Sequence, residues 1–73
     1  MIEVAGKNKW VELNQSDAKL YMFSLGDGWR FPTLDECYKT AGMVDCWSTT
    51  RVSDAILSRF VWLVIPVRDL KDD

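Results

Sequence analysis

Apolar residues recur along the chain with two different periods, and the switches between them mark the elements. Lys9 to Leu13, KWVEL, places Val11 and Leu13 two apart, on one face of a short strand. Asn14 then stands as an N-cap before QSDAKLYMFSL, in which Ala18, Tyr21, Met22 and Leu25 fall at i, i+3, i+4 and i+7. Gly26 follows the last of these and can take the left-handed conformation that closes a helix, so the spacing predicts a first helix over residues 15–25.

Residues 26–36, GDGWRFPTLDE, read as a connector with a purpose. Asp27-Gly28 is a turn pair, and Pro32 forces Phe31 toward extended geometry, so Trp29, Arg30 and Phe31 form an extended run. Thr33 and Glu36 have the spacing of a capping box, in which each side chain satisfies a backbone N–H of the other residue. A second helix follows, with Leu34, Cys37, Tyr38 and Ala41 as its apolar stripe and Gly42 as its end. The cluster is therefore a folding device: it stops one helix, crosses the core with aromatics and starts the next.

Beyond Val44 the period shortens. VDCWSTT is rich in β-branched and aromatic residues and predicts a strand near residues 45–50. RVSDA, residues 51–55, is a polar connection, and residues 56–68 predict one longer strand. On it Phe60, Trp62 and Val64 share one face and Val61, Leu63 and Ile65 the other, which implies cover on both sides or one exposed patch. Pro66 cannot donate to a ladder, so pairing should weaken there.

These elements amount to a single compact α+β domain over residues 1–73, two short helices packed on a small, mostly antiparallel sheet, with ends fraying over about 1–8 and 70–73. Domains this small bury a modest share of their surface, and four Trp, three Phe and two Tyr compensate by contributing large rings to a thin core. The net charge of −2 carries no basic footprint, so a nucleic-acid partner is not expected. Asp69, Asp72 and Asp73, with Lys71 among them, read as a solvated tail.

The N-terminal MIEVAGKNKW lacks the layout of a signal peptide, and the longest apolar run, FVWLVIPV, is far shorter than the ~20 residues of a membrane helix. The reading is a soluble, cytoplasmic protein with no membrane association. In that setting Cys37 and Cys46 are expected as reduced thiols.

Candidate chemistry changes the picture little. With no histidine, neither a Ser/His/Asp nor a Cys/His arrangement can form, and two cysteines alone make a poor zinc site. Asp35 and Glu36 are consecutive on a helix and do not face each other, and Glu36 already has a capping task. Cys37 lies in the first turn of its helix but on the apolar stripe, where a cysteine behaves as a small hydrophobe. There is no P-loop and no EF-hand spacing of carboxylates. Neither enzymatic activity nor a cofactor or metal is expected.

The order of pieces, with GWRFPTLDE opening the second helix, CWSTT, and a last strand ending IPVRDL, resembles a bacterial and phage domain of unknown function. That domain is described by its GWRLPT, YWSST and VRPVR signatures and is related to the C-type-lectin-like fold of the formylglycine-generating enzymes. The resemblance covers roughly residues 10–70, without the long insertions of most members, and implies a minimal lectin-like domain. It implies a structural signature of Trp29, Arg30, Pro32, Thr33, Glu36, Trp47 and Arg68, with Trp29 and Trp47 as core aromatics and both arginines bonded to carboxylates or carbonyls. It also implies a bacterial or phage origin, the host cytoplasm being the location in the latter case.

By elimination, the expected function is a non-catalytic small interaction protein that binds a cytosolic protein partner. Trp10, Phe60 and Trp62 are the candidate partner-binding residues, and homodimerisation is a further expectation for so thin a core. The alternative is a lectin-like ligand- or receptor-binding module at a virion or cell surface.

Overall fold

The computed structural model describes residues 1–42 and 45–70; Val44 and the tail residues Lys71, Asp72 and Asp73 lie outside them. Among these residues the fold is α+β, with two α-helices and two small antiparallel sheets. Strand β1, Ile2–Val4, pairs with β5, Val67–Asp69, which pairs in turn with β3, Trp29–Arg30. The second sheet joins β2, Val11–Asn14, to β4, Val61–Val64. Residues 2–4, expected to fray, are thus paired, because Glu3 and its neighbours find a ladder partner at the far end of the chain.

Helix α1, Gln15–Ser24, begins where Asn14 Oδ1 accepts the Asp17 N–H at 2.9 Å, and Gly26 follows it with φ +96°. Ala18 and Met22 are buried, with Tyr21 and Leu25 packed beside them. Helix α2, Leu34–Ala41, has the reciprocal capping box: Glu36 N–H donates to Thr33 Oγ1 and Thr33 N–H to Glu36 Oε1. Gly42 closes it at φ +69°. Only part of its predicted stripe faces inward. Cys37 is buried and Ala41 packs on the core, but Leu34 and Tyr38 are exposed, because so short a helix covers its cluster with little more than one turn.

Two predicted strands give way to tighter structure. The stretch at 45–50 contributes only an isolated bridge, Cys46 to Leu63, before turning. Ser48 is the reason: it is buried, its Oγ accepts the Arg51 N–H at 3.2 Å and its carbonyl accepts Val52 N–H at 2.9 Å, which bends the chain into a 3-10 turn, Arg51–Ser53. The single long strand over 56–68 is likewise replaced. Asp54 caps a further 3-10 segment, Ala55–Arg59, by accepting the Ile56 N–H, and the rest divides at Ile65-Pro66 into β4 and β5, which belong to different sheets. Buried Gln15 pins this region from α1, its Nε2 donating to the carbonyls of Arg51 and Asp54 at 3.2 and 2.7 Å.

The core falls into two clusters. The first gathers Ala18, Met22, Trp47, Val52 and Val64 under α1. The second gathers Cys37, Cys46, Ile65 and Val67 under α2. The two cysteines form a disulfide, with Cα atoms 6.8 Å apart, which corrects the expectation of reduced thiols. Cys37 on the inner face of α2 and Cys46 on the bridge to β4 both point into the second cluster, a convergence that spacing along the chain does not reveal.

Candidate functional site

Three aromatic rings run from the core to the surface. Trp47 is fully buried, its indole Nε1 donating to the Leu13 carbonyl at 2.7 Å, which anchors the inner end. Trp62, half-buried on β4, lies against it at 4.9 Å between centroids and a tilt of 52°. Phe60 stacks on Trp62 at 5.0 Å and 22° and is 47% exposed. The Arg51 guanidinium sits 4.7 Å from the Trp62 centroid, close enough for a cation–π contact. The backbone explains the arrangement. The 3-10 segment ends as Phe60 N–H donates to the Leu57 carbonyl, the chain becomes extended, and side chains two apart then share a face. Val61, between the two rings in sequence, is also exposed.

Trp10, the third candidate, belongs elsewhere. It packs against the second cluster, and its Nε1 donates to the Ala5 carbonyl at 2.9 Å. The reason lies across the ladder: Ala5 N–H donates to the Pro66 carbonyl, but Pro66 has no N–H to return, so the indole supplies the missing donor. Lys7 Nζ lies 5.9 Å from its ring centroid.

The residues singled out by resemblance surround β3. Arg30 donates to both carboxylate oxygens of Glu36, at 2.9 and 3.2 Å, to both of Asp69, at 2.9 and 3.1 Å, and to the Phe31 carbonyl at 3.0 Å. One guanidinium thereby ties β3 to α2 and to β5. Hydrogen bonding to it holds both carboxyls below their ordinary range, against the opposing effect of partial burial. Arg68 pairs with Glu3 and lies 4.9 Å over the half-buried Trp29 ring. Pro32 is fully buried, and its carbonyl accepts the Thr49 N–H at 3.0 Å.

A second apolar surface was not singled out by the sequence reading. Leu20 and Phe23 are 68% and 87% exposed on the outward side of α1, and Phe23 borders an open groove of about 640 Å³ with Lys19, Asp27, Trp29 and Phe31. The signal was present: the two lie at i, i+3 and opposite the Ala18–Met22 stripe. Among the described residues, no three His, Cys, Asp or Glu side chains converge in a way that could hold a metal ion, and no helix is long and apolar enough to cross a membrane. Compared with protein-family models, curated proteins and solved structures, the chain matches none of them.

Proposed function

We propose that this chain is a non-catalytic interaction domain that binds a protein partner through the outer end of its aromatic stack, with Phe60 and Trp62 as the anchor. The observation carrying this reading is the gradient of exposure along Trp47, Trp62 and Phe60. A ring held in place from below by a buried ring loses little conformational freedom on binding, and aromatic anchors of this kind dominate interface energetics. Arg51 over Trp62 adds a residue type enriched at such sites. Trp10 is left out of the anchor, since its indole N–H is engaged within the fold.

The test is affinity capture with tagged protein and with its Phe60→Asp variant, followed by titration of the purified captured protein against both. Because the bonded cysteines fit an oxidising environment, both soluble and envelope fractions are used as the source. A stoichiometric partner whose affinity falls at least about tenfold in the variant, with folding unchanged, supports the reading. Equal binding by the variant, or no stoichiometric partner from either fraction, refutes it.

A further inference from the structure

We propose that the groove beside α1 is a self-association surface, in which two copies of the chain meet about a twofold axis passing through Phe23. This surface shares no residue with the Phe60–Trp62 anchor, and the inference does not depend on that reading. The groove, of about 640 Å³, is walled on one side by Lys19, Met22 and Phe23 of α1 and on the other by Asp27, Trp29 and Phe31. Trp29 and Phe31 pack on the first core cluster but are only partly buried, and Phe23 is exposed over most of its surface. One ring therefore stands out beside two that are sunken. Gly26 and Gly28 leave open space where a Cβ would stand, which gives an incoming side chain room between them.

Charge specifies the occupant. The charged side chains lining the groove are Lys19 and Asp27, both exposed, and among the described residues neither has an ion-pair partner. Those around α2 and β1 differ: Glu3, Asp35, Glu36 and Lys39 are all paired within the chain. Lys19 and Asp27 have opposite signs and flank Phe23 in sequence, four positions before it and four after. Lys19 and Phe23 lie one turn apart on one face of α1. Gly26, at φ +96°, then ends the helix and lets Asp27 return to the groove. A surface with a cation on one side of a central ring and an anion on the other complements itself after a half-turn. Rotation about an axis at Phe23 brings Lys19 of each copy to Asp27 of the other and packs the two Phe23 rings together, an isologous contact. Leu20, exposed three positions before Phe23, extends the apolar part. A ligand of single charge would match only half of this pattern. The contact is small, which places it with transient associations rather than with obligate dimers.

The measurement is sedimentation equilibrium of the untagged full chain over a concentration series reaching about 1 mM, where a reversible monomer–dimer equilibrium is expected. Phe23→Ser should weaken dimerisation about tenfold or more. Lys19→Glu and Asp27→Lys each set like charges together at both symmetry-related contacts, and each should weaken it about tenfold. An equimolar mixture of these two variants pairs opposite charges at both contacts and should recover the association that each alone has lost. Unchanged thermal midpoints verify that the variants are folded, and Phe60→Asp should dimerise as the wild type does. A monomer at every concentration, undiminished dimerisation by folded Phe23→Ser, or a mixture that associates no better than either charge variant overturns the proposal. Assemblies that grow beyond the dimer also overturn it, since a twofold contact closes on itself. Dimerisation lost in Phe60→Asp but kept in Phe23→Ser overturns it too, and moves the self-contact to the aromatic stack.

Discussion

Replacing Arg30 by methionine keeps most of the side-chain volume and removes five hydrogen bonds at once. Two go to Glu36, two to Asp69 and one to the Phe31 carbonyl. These partners differ in worth. The Asp69 side chain is 69% exposed, so solvent screens that pair and its loss should be barely measurable. Glu36 is 22% exposed and Arg30 31%, and their contact is bidentate. A charged hydrogen bond contributes ~1.5–3 kcal/mol when shielded, and discounting for this exposure leaves roughly 1–2 kcal/mol for the Glu36 and Phe31 contacts together. At ~4–8 °C per kcal/mol for a domain of this size, Arg30→Met should lower Tm by roughly 5–15 °C. The assay is thermal and urea unfolding followed by tryptophan fluorescence, in a double-mutant cycle with Glu36→Gln. A coupling near ~1 kcal/mol is expected. An unchanged midpoint, or strictly additive single variants, would refute the clamp.

The remaining predictions test other supports of the fold. Glu36 has a folded-state value below the ordinary carboxylate range because it is bonded to Arg30, so the stability this pairing contributes is present above about pH 4 and is lost as pH falls toward that lower value; Asp69 is shifted the same way but is too exposed to add measurably. Urea midpoints measured across the acid range should fall less steeply in Arg30→Met than in the wild type, and parallel curves would contradict the pairing. Replacing both Cys37 and Cys46 by alanine opens a loop of sequence separation 9, and the entropy of so short a loop implies a loss of roughly 2.5–3 kcal/mol. Unfolding curves measure that loss, and native protein whose thiols alkylate fully without prior reduction would rule out the bond. Trp10→Phe keeps an aromatic ring but strips the Ala5 carbonyl of the donor that Pro66 cannot provide, at a cost of about 1–2 kcal/mol by urea unfolding. A midpoint equal to wild type would show that water serves that carbonyl equally well.

The parts of this protein legible in its sequence are those whose cause is a few residues long. Asn14 before α1, Gly26 after it, the Thr33–Glu36 box and Gly42 each act on backbone groups within four positions, so residue types and spacing were enough to place both helices. The α+β class follows from the same signals. Of the candidate surface, Phe60 and Trp62 were readable as neighbours on one strand face.

What only the tertiary structure decided depends on partners far away in the chain. Ser48 turned a β-rich stretch into a 3-10 corner once Gln15, from another element, was present to serve the carbonyls that corner exposes. Residues 56–68 lost their continuity because Asp54 capped a turn and Pro66 separated two sheets, each with its own partner strands. The N-terminal residues became β1 only because β5 returned beside them, and Trp10 was taken from the candidate surface by a carbonyl that a proline left unserved. The disulfide and the Arg30 clamp have the same origin. Burial and hydrogen bonding are settled by which groups the folded chain brings within reach, and a linear pattern records periodicity but not distance.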